Sequence, residues 1–179
     1  PAPKKGVILC NLGTPDAPYT RELRRYLKEF LSDPRVVEVP RLLWWLILNL
    51  VILRIRPARS AKLYRSVWAE GGSPLLINSR AQVEGVAERL QQHFGEKIPV
   101  VLGMRYGNPS TKSKVEAMIE AGCRKILLFP LYPQYAGPTV ATANDQFFRI
   151  LMAAKWQPAA RTVAPYFDHP LYIDALAQS

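Results

Sequence analysis

Hydrophobic positions in this chain fall into continuous runs and spaced stripes. Three runs, residues 7–12, 100–104 and 126–131, are almost wholly apolar and close in Gly or Pro with polar or aromatic residues. Such runs predict strands buried on both faces, each followed by a loop. Stripes at helical spacing separate them. Thr20 can cap a helix carrying Leu23, Tyr26, Leu27, Phe30 and Leu31. A second helix is expected over 79–94, with Val83, Val86, Ala87, Leu90 and Phe94 inward. Ser110 or Thr111 caps a third, carrying Val115, Met118 and Ile119, and Gly122 fits its stop. Thr139 opens a fourth with Val140, Phe147, Ile150 and Leu151. A weaker strand over 161–163 and a helix beginning near Pro170 complete the pattern.

Alternating strands and helices predict an α/β fold: a parallel four-stranded sheet with right-handed crossovers and helices on both faces. In such a sheet, ligands bind beyond the carboxyl ends of the strands. The polar ends of the three runs should therefore converge on one site. They supply Leu12 from the first, Arg105 and Tyr106 from the second, and Tyr132, Gln134 and Tyr135 from the third. Arg105 either meets an anionic or functional partner or reaches solvent. The aromatics after the third run either line a site or cover the sheet edge.

The first crossover, from Gly13 to Pro99, is far longer than one helix needs, so function is expected inside it. It contains the most apolar stretch of the chain, 42–53, with Trp44, Trp45 and Leu46 between Arg41 and Arg54. That is too short to span a bilayer, which takes about 20 residues. Tryptophans flanked by arginines suit an exposed lip, about 40–57, that touches lipid or a large flat ligand. Residues 166–179 begin an amphipathic helix with no stop signal. The expectation is a domain over 1–165 belonging to a longer, truncated protein.

Composition narrows the classes. The 179 residues suffice for one core, and 49% are hydrophobic. The net charge of +10 favours anionic partners. Much of it lies between Arg21 and Arg65, around the apolar segment and without an aromatic–basic stacking platform, which argues against nucleic acid. Two cysteines, Cys10 and Cys123, make no disulfide framework and suit a reducing cytoplasm. The N-terminal apolar stretch breaks at Asn11, too early for a signal peptide. The Gly71-Gly72-Ser73-Pro74 loop lacks the Lys-Ser/Thr of a phosphate loop, so Ser73 simply offers a hydroxyl in a turn. His93 and His169 are weak metal signals, and no metalloprotease or nucleophile-elbow motif occurs.

Four motifs taken together resemble one family. They are Asn11-Leu12-Gly13-Thr14-Pro15-Asp16; Tyr64 with Gly71-Gly72-Ser73-Pro74; Gly103-Met104-Arg105-Tyr106-Gly107-Asn108-Pro109; and Leu131-Tyr132-Pro133-Gln134-Tyr135. In order and separation they are similar to those of ferrochelatase, and the segment 42–53 matches that family's lip. The resemblance implies the N-terminal part of a Rossmann-like chelatase. Such an enzyme inserts Fe2+ into protoporphyrin IX, forming protoheme in the cytoplasm at the membrane periphery. It implies porphyrin contacts at Leu12, Arg56, Tyr64 and Ser73, with Tyr132, Gln134 and Tyr135 beside them. Arg105 and Tyr106 would line the deep cleft, and His169 matches a peripheral metal position in some members. The metal-side His and Glu would lie beyond residue 179 in the C-terminal half, so the isolated stretch is expected to be inactive. Gly137 stands where cluster-bearing members have a cysteine, so no iron–sulfur cluster is expected. The rival readings are a non-catalytic tetrapyrrole- or membrane-surface-binding module, and a chelatase for another metal or tetrapyrrole.

Overall fold

A computed structural model describes residues 4–178. Four parallel strands, β1 (Lys5–Thr14), β2 (Val100–Gly107), β3 (Lys125–Pro130) and β4 (Ala159–Thr162), form one sheet in the order β2-β1-β3-β4. Side chains alternate across it. Ile8 and Cys10 of β1 and Ile126 and Leu128 of β3 face helices α5 (Thr111–Glu120) and α6 (Thr142–Ala153). There they meet Val115, Met118 and Phe147 in a fully buried core. The opposite residues, Val7, Leu9, Leu127 and Phe129, face α4 (Pro74–Phe94), from which Val86 and Leu90 approach. A cavity of about 390 Å³ remains beneath α4, so this face is less completely covered than the other.

The long crossover holds three further helices. In α1 (Thr20–Leu31), Leu23, Tyr26, Leu27 and Leu31 are buried on one stripe. The lip is a helical arm made of α2 (Arg41–Ile47), a π-helical turn over Leu48–Ile52, and α3 (Leu53–Val67). Pro57 lies inside α3 and has no N–H to give the Leu53 carbonyl. The Arg24 Nε of α1 donates to that carbonyl at 3.0 Å. One arginine of the basic cluster is thus spent on repairing the arm and binding it to α1. The last helix, α7 (Pro170–Ala177), is held to the end of β3 by Tyr166, whose ring meets Phe129 at a tilt and Tyr172 edge-on.

Several expectations need correction. The second helix begins at Pro74, not at 79, because Ser73 caps it and Pro74 takes the first-turn position where a missing N–H costs nothing. Phe94 is not buried: it is 52% exposed, because it borders the open hollow at the amino ends of β1 and β3, with the Lys5 ammonium over its ring, before Gly95 stops α4 in a left-handed turn. Thr139 lies in a π-helical turn, Gly137–Ala141, and the α-helix starts only at Thr142. Tyr19, not Thr20, occupies the cap position of α1, without a side-chain cap. The fourth strand spans Ala159–Thr162, ending one residue short of the expected Val163.

Candidate functional site

Two glycines bring the first two strand ends together. Gly13 has φ +114° and Gly107 φ +76°, both in the left-handed region. A Cβ on Gly13 would lie 1.8 Å from the Tyr106 carbonyl oxygen, and one on Gly107 2.6 Å from that of Thr14. Only glycine allows this approach, and it sets Tyr106 against the start of the crossover. Tyr26 of α1 donates its phenol to the Gly13 carbonyl at 3.2 Å, which closes the helix over the strand ends. Phe30 then meets the Tyr106 ring edge-on, with centroids 5.1 Å apart.

Below this lid is a buried ionic network. Asp33, just past the end of α1, accepts on Oδ2 from Arg105 Nη2, from the Tyr106 phenol (2.9 Å) and from the Thr142 hydroxyl. Its Oδ1 accepts the Arg35 N–H at 2.8 Å. Arg105 Nε donates to Thr142 Oγ1 at 2.7 Å, and its guanidinium lies 4.3 Å from the Tyr106 ring centre. Asp33 and Arg105 are 8% and 9% exposed. Burial alone would raise the Asp33 pKa. The Thr142, Arg35 and Tyr106 hydrogen bonds and the Arg105 charge outweigh it, so the carboxyl sits below its ordinary 3.8 and is ionised. Burial pushes the Tyr106 phenol up to about 12, so it is neutral, and its proton is committed to Asp33.

Tyrosines gather around the network. Burial raises the Tyr132 phenol, and Cys10, Tyr26 and Tyr106 add to the shift. Burial likewise raises Tyr26, with Tyr64 and Tyr106 contributing. Phenols from α1, α3, β2 and the loop after β3 therefore share one neighbourhood. The Tyr132 hydroxyl and Thr14 Oγ1 are sealed from solvent with no hydrogen-bond partner among the described residues. Orphaned buried hydroxyls are costly and call for an explanation. Cys10 is inert by comparison: burial lifts its thiol to about 11.

The lip joins the same place. Leu48 and Leu53 pack with Tyr26, Leu27, Leu31 and Tyr106, and Leu12 and Trp44 lie against that cluster. Trp44 donates its indole N–H to the Leu31 carbonyl at 2.7 Å. Trp45 and Leu46 point away and are exposed, as are Leu42 and Leu50. Leu12, Trp44, Tyr106, Arg105, Tyr64 and Tyr132 are thus brought to one end of the sheet.

Other residues singled out from the sequence lie differently. Ser73 is buried and its hydroxyl accepts the Leu76 N–H at 3.3 Å, capping α4. Arg56 is exposed on α3. Gln134 and Tyr135 are exposed on the loop after β3. His169 is exposed and caps α7, its Nδ1 accepting the Leu171 N–H at 3.3 Å. The larger cavities lie outside the ionic network. One of about 620 Å³ runs along β2 to Pro15, Asp16, Asn108 and Pro109, just past the carboxyl ends of β1 and β2, and one of about 540 Å³ lies at the amino ends of β1 and β3. None has Arg56, Ser73 or Arg105 in its wall. Among the described residues no group of three His, Cys, Asp or Glu side chains could hold a metal, and no helix is long and apolar enough to cross a membrane.

Asp33 and Thr142 were not visible as site residues in the sequence. Asp33 lies 72 positions from Arg105 and reads as a loop aspartate before Pro34. Its one signal is its place: an acidic side chain at a helix C-terminus opposes the helix dipole and needs another reason to be there.

Comparison with known proteins shows the family. A family model described as ferrochelatase matches residues 4–179. The chain is 56% identical to the ferrochelatase of Thioalkalivibrio sulfidiphilus over 174 residues, covering 97% of this chain and 47% of that protein. It is 53% identical to the ferrochelatase of Alcanivorax borkumensis over 98% of this chain and 51% of the relative. Against that of Marinobacter nauticus the identity is 53% over 97% and 47%. The chain spans about half the length of the curated relatives it matches.

Proposed function

Because the chain belongs to the ferrochelatase family, we propose that the protein inserts Fe2+ into protoporphyrin IX, and that these residues form one wall of its porphyrin cleft. The observation that carries this reading is the meeting of Leu12, Trp44 and Tyr106, from β1, the lip and β2, in one apolar cluster at the strand ends. Protoporphyrin is a flat apolar disc with two carboxylates at its rim. Apolar and aromatic side chains suit its face, and exposed cations suit its rim. Arg56, on the outward surface of α3, is our candidate for a propionate, since a guanidinium can grip a carboxylate with two parallel hydrogen bonds. Tyr64 is assigned to the same rim, and Gln134 and Tyr135 to the cleft mouth; Ser73, buried and capping α4, is kept as a helix cap.

Metal insertion needs the macrocycle tilted and two pyrrole protons removed. Distortion can be drawn from binding the rest of the disc. Neither Arg105 nor Tyr106 is the base. A guanidinium has no acceptor, and the neutral phenol has given its hydrogen bond to Asp33. We assign both to positioning the ring. The residues that the relatives possess beyond the matched length would supply the opposite wall and the base. Fe2+ is a substrate on this reading, and His169 is retained only as a peripheral metal contact.

The outward face of the lip supports a second element of the proposal, contact with the membrane surface. Leu42, Trp45, Leu46 and Leu50 are exposed together beside Arg54, an arrangement suited to the headgroup boundary. The test of the enzyme reading is metal insertion by the full-length protein. We expect protoporphyrin plus Fe2+, or Zn2+ as a surrogate, to give the metalloporphyrin spectrum at a rate proportional to protein. No product above the protein-free control contradicts it.

A further inference from the structure

We propose that Asp33 is a positioning residue for metal insertion: its carboxylate, held with Tyr106 and Thr142, fixes which nitrogen of Arg105 is left free to donate and cancels the Arg105 charge there. The inference rests on the ferrochelatase reading of the strand-end site.

The argument begins with donors and acceptors. Arg105 spends Nε on Thr142 and Nη2 on Asp33. Its Nη1 has no hydrogen-bond partner among the described residues, yet it is not among the polar atoms sealed from solvent. One edge of the guanidinium is therefore pinned inward, and one nitrogen is left to donate outward. Tyr106, only 1% exposed, gives its proton to the same Asp33 oxygen and closes the inner side of the network. A single carboxylate thus holds Arg105 and Tyr106 together and leaves the Arg105 Nη1 as their one donor unpaired among the described residues.

Burial makes stability alone a poor explanation. A buried ion pair gains little over well-packed apolar residues of similar size. Groups spent in this way, at the carboxyl ends of parallel strands, are more often arranged for a ligand. The placement of Asp33 points the same way, since it follows α1 where the helix dipole disfavours an acid. Thr142 completes the arrangement. It is the first residue of α6 after the π-helical turn Gly137–Ala141, and such turns often mark functional sites. Its hydroxyl accepts from Arg105 while donating to Asp33.

Charge gives the reaction a reason to need Asp33. The incoming metal is a dication, and an uncompensated guanidinium at the cleft wall would repel it. With Asp33 ionised beside it, the pair is neutral overall while its hydrogen-bonding edge stays directional. Loss of the carboxylate should therefore slow insertion much more than it weakens binding of the macrocycle, whose carboxylates lie at the rim.

The experiment uses the full-length protein and two readouts. In 15N NMR of arginine side chains, with Arg105 assigned through Arg105→Lys, the Nη protons should be resolved and slow to exchange. They should merge into the rotationally averaged signal in Asp33→Asn. In steady-state Zn2+ insertion, Asp33→Asn should lower kcat by at least about tenfold, as misplacement of a cleft group does. Porphyrin affinity, read by fluorescence quenching, should stay within about threefold, and Asp33→Glu should restore part of the rate. Should Asp33→Asn fail to fold, Thr142→Val removes one partner while keeping both charges, and a rate loss of about threefold at unchanged affinity is expected. An unchanged kcat, a loss of affinity in step with rate, or an averaged Arg105 signal in the wild type overturns the proposal. A wild type that metallates nothing contradicts the enzyme reading instead, and the NMR readout then decides alone whether Asp33 holds Arg105.

Discussion

A carboxylate just beyond the last turn of a helix meets the negative end of the helix dipole. Asp33 is tolerated there because Arg105, Tyr106, Thr142 and the Arg35 N–H all donate to it. The consequence for stability has a definite sign. Its folded pKa lies below the ordinary 3.8, so the unfolded chain binds the proton more readily. The stabilisation is therefore fully present above about pH 4 and is lost as pH falls through the folded value. Asp145, held down first by its hydrogen bond to Arg35, adds loss in the same window. We expect the thermal midpoint of the full-length protein to fall steeply below about pH 4, and the fall to be shallower in Asp33→Asn. Equal slopes in differential scanning calorimetry would contradict the assignment of the acid-sensitive charge to Asp33.

At the scale of elements, the lip carries the most information. Its inward face is fixed by Leu48, Ile52 and Leu53 in the cluster, by Trp44 and Arg41 on the Leu31 and Ser32 carbonyls, and by the Leu53 carbonyl on Arg24. Its outward face is apolar and open to water, with Leu42 77% and Trp45 58% exposed. An amphipathic arm of this kind binds an interface in proportion to the apolar area it buries there, with basic residues drawing it to anionic lipid. In a flotation assay with vesicles containing about a third anionic phospholipid, we expect the full-length protein to float and the Leu42→Asp/Trp45→Asp variant to lose most of that binding. Equal flotation of both would remove the lip from the membrane account. The double variant alters only exposed positions, so porphyrin affinity is expected to persist.

At the scale of the whole molecule, the fold was legible wherever local pattern and tertiary need agree. The apolar runs became β1, β2 and β3 because buried parallel strands have no polar face to show. The stripes of α1 and α5 became helices packed through the same residues, Leu23, Tyr26 and Leu27 in one and Val115 and Met118 in the other. That all four strands run parallel, with their carboxyl ends at one edge, followed from the alternation of strand and helix alone. The network could not be read in advance, because its partners come from α1, β2 and α6. The need of a buried Arg105 for an anion was visible, but which carboxylate would answer it depended on how the crossover folds back. The extent of α4 was hidden for a smaller reason: Ser73-Pro74 is also the signature of a tight turn, and only the Leu76 N–H on Ser73 distinguishes the two. The central claim is that the strand ends beneath the lip hold a porphyrin, and a fluorescence titration of the full-length protein with protoporphyrin IX tests it most directly. Saturable binding at one porphyrin per chain, weakened on the order of tenfold by Arg56→Ala, as for a lost charged hydrogen bond, and also by Leu12→Gln, is the predicted result. No saturable binding, or binding indifferent to both substitutions, would contradict it.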